Sequence, residues 1–198
     1  MAIIHKCSRF AFLGCALWCM IGCSAKEQVQ QGRVIAFDKQ NGVVTIIIDS
    51  APNATSPKYD VLPPLKVKVP VDPKDMGAAP EAGKRLMMDL GNNRIVFYDA
   101  GSATIKTIPF KLLSLQDKLE PGDPPVKGKK FPVVDRENKV ITIYSAREQK
   151  LVTFSVEDEY LTLPEDTWKP GDDIRYTYRA PGQALRMMNV SKTEIIKW

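Results

Sequence analysis

The chain has 198 residues, 44% hydrophobic and 26% charged, with 28 basic and 23 acidic side chains and a formal net charge of +5. That is the composition of a globular protein. Charges of both signs are interspersed, which argues against the concentrated basic footprint of a nucleic-acid binder.

At the N-terminus, Lys6 and Arg9 precede an apolar run, "FAFLGCALWCMIG", from Phe10 to Gly22. The run has the length of a signal-peptide core and falls short of the ~20 residues needed to span a bilayer. Cys23 follows Met20, Ile21 and Gly22. This tetrad resembles the lipobox of bacterial lipoproteins, with Met20 where the pattern prefers leucine. The resemblance implies a signal peptide over 1–22, cleavage between Gly22 and Cys23, and a diacylglycerol thioether on Cys23. Further acylation would exceed the two-chain requirement for stable anchoring. Cys15 would leave too short an apolar run, and Cys19 has bulky Trp18 at the cleavage position. A plain secretory peptide or a retained apolar anchor is the alternative. Ser24, in place of the aspartate that retains lipoproteins in the inner membrane, implies the outer membrane facing the periplasm. Residues 23–31 are small and polar and read as a flexible tether.

Removal of this leader decides which chemistries stay open. His5, the single histidine, and three of the four cysteines lie within it. The processed chain would have no histidine and only the lipidated thiol. Internal disulfides, Cys/His zinc sites and Ser-His-Asp or Cys-His catalysis are then excluded. No cofactor or metal is expected, and the protein is expected not to be an enzyme. A carboxylate-dependent hydrolase is the surviving catalytic class, and it needs two acidic side chains in one cleft.

Beyond the tether, "VIAFDKQNGVVTI" (34–46) aligns without gaps on "FPVVDRENKVITI" (131–143). Each copy is two β-rich runs around an Asp-x-x-Asn turn, the pattern of a hairpin. Asp and Asn suit the turn because their side chains bond nearby backbone and Asn tolerates positive φ. "LKVKVPVD" (65–72) and "LVTFSVED" (151–158) alternate apolar and polar residues as half-buried strands do. Two further hairpins are predicted, turning at Gly91–Asn93 and at Pro181–Gly182. The predicted fold is mainly β: two tandem small barrels or half-barrels of OB or SH3 type, over 32–117 and 131–198. A Pro/Gly/Lys-rich linker at 118–130 joins them. A single continuous β domain is the alternative. The excursion at 49–65 is long enough to suggest a functional or disordered loop.

Toward the C-terminus, Ile174, Tyr176 and Tyr178 alternate with Arg175, Thr177 and Arg179, so a strand would send the two sets to opposite faces. The tyrosines read as core. Arg175, Arg179 and Trp168 are the candidate binding face, with Trp168 equally readable as a core or loop plug. Met87–Met88 and Met187–Met188 read as core filler, because consecutive strand residues diverge and cannot converge on one copper ion. Glu157–Glu159 and Asp172–Asp173 read as solvated acidic edges. The expected function is a membrane-anchored envelope lipoprotein, a non-catalytic protein-interaction or structural module. Its expected contacts with an envelope partner are strand edges and the 49–65 loop. A periplasmic ligand- or metal-binding module is the alternative.

Overall fold

The computed structural model describes residues 26–51 and 56–193. The leader, Gly22, Cys23, Ser24 and Trp198 lie outside the described residues. The elements are β1 (Gln28–Asp38), β2 (Val43–Asp49), β3 (Tyr59–Lys68), β4 (Arg85–Asp89), β5 (Arg94–Asp99), β6 (Thr104–Pro109) and β7 (Lys111–Gln116). After them come β8 (Val133–Asp135), β9 (Val140–Ser145), β10 (Lys150–Ser155), a single helical turn α1 (Asp158–Leu161), β11 (Asp173–Tyr178) and β12 (Arg186–Asn189). They form three antiparallel sheets, ordered β12-β11-β1-β2-β3, β7-β10-β9-β8 and β4-β5-β6.

The mainly β expectation holds. The expectation of two tandem barrels does not, because no closed barrel is found among the described residues and the two repeat units share sheets. β1 pairs with β11 from Gln28↔Tyr178 to Arg33↔Asp173, and β7 pairs with β10. Both pairings cross segment 118–130. That segment has no strand but is anchored: Val126 is buried, and the Tyr144 hydroxyl donates to the Leu119 carbonyl at 2.8 Å. Gln28–Gln31, expected as flexible tether, are strand. The Tyr176 and Tyr178 hydroxyls donate to the side-chain carbonyls of Gln30 (2.6 Å) and Gln28 (2.7 Å), fixing β1 on β11.

Five hairpin turns share one construction, and it explains the repeat. Asp38, Asp89 and Asp135 each accept from the backbone N–H and the side-chain amide of the residue three places on, Asn41, Asn92 and Asn138. The next residue turns to positive φ at Gly42 (+61°), Asn93 (+48°) and Lys139 (+59°). Asp99–Ala103 and Ser145–Gln149 do the same with other side chains, with Ala103 and Gln149 both at +54°. This is a tight turn closed by a left-handed residue, which matches the twist of the flanking strands. The likeness of 34–46 to 131–143 therefore reflects a local turn solution used five times.

β5 shows how the layers stack. Ile95 and Phe97 join Ile141, Ile143, Val152, Phe154 and Trp168 in one core. The alternate residues Val96 and Tyr98 join Ile35, Ile47, Tyr59 and Leu86 in another. The three-stranded sheet is thus covered on both faces, by the four-stranded sheet on one and the five-stranded sheet on the other. A third core of Val34, Val44, Ile46, Val67, Ile174, Tyr176 and Met187 lies on the far face of the five-stranded sheet. Each fully buried aliphatic or aromatic side chain contributes about 1.5–3 kcal/mol. Gly171 lets three segments cross at this junction: a Cβ there would collide with the Val34 carbonyl oxygen, and Val34 N–H donates to the Asp172 carbonyl at 2.9 Å.

Candidate functional site

The feature left open by this packing is a strand edge. β6 is the outer strand of the three-stranded sheet and β7 the outer strand of the four-stranded sheet. Only Phe110 separates them, so residues 104–116 run as one edge across two layers. Phe110 turns into the core, with its ring 4.9 Å from that of Phe154. Proteins blunt such edges with Pro, Lys, bulges or a covering segment, and the other edges here are treated that way. β12 is covered by Met76 and Gly77, β4 by Pro170, and the end of β3 by Gln183. The rest of β3 contains Pro63 and Pro64, which have no N–H to offer. β8 is three residues long.

On the 104–116 edge, Lys106, Pro109 and Lys111 protect the first half. The second half, Leu112-Leu113-Ser114-Leu115, carries neither Pro nor Lys, and its one irregularity is a register shift at Leu113. Leu112 and Leu115 stand opposite Phe154 and Val152, on the core face of the sheet. They extend beyond its cover and remain 37% and 40% exposed. Leu113 sits at a register shift and is 49% exposed. An unpaired row of backbone N–H and C=O groups beside an apolar ledge is the surface to which an extended peptide adds as a strand.

Beside β6 lies a cleft of about 540 Å³ lined by Phe97, Ile105, Lys106, Glu159, Tyr160 and Leu163. Asp99 also reaches it, so two carboxylates border one cleft, as the hydrolase reading requires. Asp99 is a committed anion. It accepts from Ser102 and the Gly101 N–H and pairs with Lys106, and the hydrogen bonds from Lys106, then Ser102, hold its pKa at about 2. It has no proton to give. A second groove, of about 490 Å³, has Ile35, Tyr98 and Pro64 in its walls and Lys66, Lys84 and Asp166 among its polar groups.

The structure separates the residues of the expected binding face. Arg175 and Arg179 are exposed and tied to β1 and the segment before it: Arg175 donates twice to the Gln31 side-chain carbonyl (3.1 and 2.9 Å) and Arg179 to Glu27 at 2.8 Å. Trp168 is wholly buried in the core between the three- and four-stranded sheets, so it cannot line an accessible face and acts as the plug. The alternation of β11 is as read, with Ile174 and Tyr176 in the core. The methionine doublets also split by face: Met187 is buried, whereas Met87 and Met188 are exposed, and Met88 packs against the core.

The acidic pair 172–173 is not a solvated edge. Asp172 accepts from the Glu81 N–H and the Asn189 amide, both at 2.8 Å. Asp173 is 2% exposed, because Arg33, Tyr59 and Arg147 surround its carboxylate. Glu157–Glu159 open α1, where acidic residues suit the positive end of a helix. Among the described residues, no group of three or more His, Cys, Asp or Glu side chains is placed to hold a metal ion.

The described residues thus define a mainly β protein of three antiparallel sheets, with one long edge that no other described strand covers. The chain belongs to the DUF4881 family, described as a domain of unknown function, which it matches over residues 25–198. No curated protein and no solved structure gives a match.

Proposed function

We propose that this protein is a bacterial envelope lipoprotein that binds a partner protein by strand addition along residues 104–116. The tether is the lipid on Cys23, and Ser24 supports outer-membrane residence facing the periplasm. The protein is a non-catalytic interaction module with no cofactor and no nucleic-acid partner. Its partner is an envelope protein offering an extended segment with apolar residues at alternate positions. The single observation that carries this reading is the exposed Leu112–Leu115 stretch, without Pro or Lys, on an edge that is free among the described residues. Ile105 and Phe97 in the adjacent cleft give such a segment a place for one large side chain. A periplasmic ligand-binding module is the second reading, favoured by the groove beside Lys66 and Lys84.

A photo-crosslinking residue at position 113 of the full chain, in its own envelope, tests the proposal against the same residue at Val71, which is 91% exposed in a bend after β3. The expected result is a discrete adduct from 113 that is lost on Ser114→Pro and absent from 71. Equal adducts from both positions, or none from 113, would overturn it.

A further inference from the structure

Asp173 and its arginines leave one guanidinium unserved. Asp173 Oδ1 accepts from Arg33 Nε (2.9 Å) and the Tyr59 hydroxyl (2.7 Å). Its Oδ2 accepts from Arg33 Nη2 (2.9 Å) and Arg147 Nη1 (3.0 Å). A carboxylate has about four lone-pair sites, and all four are taken. Arg33 is likewise satisfied: its remaining Nη1 donates to the Leu86 carbonyl at 2.6 Å and Nη2 also reaches the Tyr59 hydroxyl at 3.2 Å. Arg85, next to Leu86 at the start of β4, gets no share. Only 6% exposed, its side chain makes a single hydrogen bond among the described residues, to the Met88 sulfur at 3.7 Å, and no ion pair. A thioether is a weak acceptor.

A buried cation without a counter-charge costs several kcal/mol, so a guanidinium held this way favours an anionic partner. The surroundings deepen the imbalance. Burial, and then the like charge of Arg33, pull the Arg85 pKa down to about 10, against a smaller opposing effect of Glu148. Arg85 therefore keeps its charge at neutral pH. A buried donor without an acceptor lies on the neighbouring segment. The Arg85 N–H donates to the Lys169 carbonyl at 3.1 Å, and Trp168, one residue earlier, holds a buried Nε1–H with no acceptor. Met88, the thioether that meets Arg85, packs against the core that contains Trp168. Trp168 thus lies on the segment that β4 meets at the Arg85–Pro170 bridge.

We infer that Arg85 is the centre of an anion-binding site for a small oxyanion, phosphate, sulfate or a simple carboxylate, that presents two oxygens to the guanidinium fork. Planar, bidentate pairing with oxyanions is what distinguishes Arg from Lys. The occupant is small because only 6% of Arg85 is open to reach. Bound there, it neutralises the excess positive charge where β4 meets segment 168–170 and ties the three-stranded sheet to that segment. The inference stands on the buried Arg85 guanidinium and is independent of the 104–116 edge.

The test is thermal and urea unfolding of the full chain in increasing phosphate, sulfate or acetate, with ionic strength held constant by sodium chloride, for the wild type, Arg85→Met and Arg85→Lys. A ligand specific for the native state lowers the unfolding constant by a factor of 1 + [L]/Kd, roughly elevenfold at ten times Kd. The wild type is expected to show a saturating rise in stability, Arg85→Met none, and Arg85→Lys a weaker one. The same rise in wild type and Arg85→Met would be a general salt effect, and that or no rise at all would overturn the site. If Arg85→Met fails to fold, nitrogen-detected NMR of the wild-type Arg85 Nε–H during phosphate titration decides. A saturating shift supports the site, and an unmoved resonance overturns it.

Discussion

Asp173 on β11 and Arg33 on β1 form a two-point ion pair, Nε to Oδ1 and Nη2 to Oδ2, each at 2.9 Å. The pair joins the first and eleventh strands, which lie 140 residues apart in the chain, and the Tyr59 hydroxyl completes it from β3. Arg33 also stacks on the Tyr59 ring, 4.4 Å from its centroid. Removing one partner of a buried pair leaves the other charged and alone, which costs about 3–5 kcal/mol. Asp173→Asn is expected to lose that much in urea unfolding. A loss below about 1 kcal/mol would show that the pair does not hold the five-stranded sheet together.

The pH dependence of the same pair has a definite sign. Burial alone would raise the Asp173 pKa, but the Arg33 hydrogen bonds and charge, then Tyr59 and Arg147, outweigh it and leave the carboxyl below its ordinary value. A lowered folded pKa gives stability that is complete above the ordinary aspartate value of about 3.9 and is lost as pH falls through the folded one. Wild type and Asp173→Asn, unfolded in urea from about pH 6 to about pH 2, should converge as pH falls. A constant difference would contradict the assignment.

The five left-handed turn residues make a paired test. Gly42 adopts φ +61° without strain, whereas Lys139 holds +59° in the equivalent place. A left-handed non-glycine residue costs about 1–2 kcal/mol, partly offset by the extra freedom glycine loses on folding, about 0.5–1 kcal/mol. Gly42→Ala is expected to destabilise by about 1 kcal/mol and Lys139→Gly to be neutral or stabilising by about 0.5 kcal/mol. Chemical denaturation reads both. A destabilising Lys139→Gly would mean that its side chain, rather than its backbone, secures the turn.

Charge on the free edge separates binding from folding. Leu113→Lys places a protective lysine at the exposed register shift, as Lys106 and Lys111 do earlier on the same edge. Stability should change by less than about 0.5 kcal/mol, as at other exposed positions, while a partner adduct formed from position 115 disappears. Retention of that adduct would place the partner elsewhere.

Local chemistry was legible in the sequence and long-range pairing was not. The β runs, the Asp-x-x-Asn turns, the β11 alternation and the divergence of the methionine doublets all follow from residue type and a period of two. The association of β1 with β11 and of β7 with β10 leaves no local mark, so two similar hairpins read as two domains. The third Asp-x-x-Asn turn, Asp89–Asn92, was present in the sequence with Leu-Gly between its ends, and matching it would have shown the repeat to be a turn. Asp173 read as solvated because its partners, Arg33, Tyr59 and Arg147, come from three distant segments. The free edge at 104–116 could be read only as a strand. That no other described strand pairs with its outer side is a property of the assembled sheets.

The most direct measurement is mass spectrometry of the N-terminal peptide from the full chain expressed in a bacterial envelope, with alkyne-fatty-acid labelling and Cys23→Ser as comparator. The expected result is a peptide beginning at Cys23 that carries a diacylglycerol, in the membrane fraction, with the label absent from Cys23→Ser. An unmodified Cys23 in the soluble fraction, or a chain still carrying residues 1–22, would contradict it.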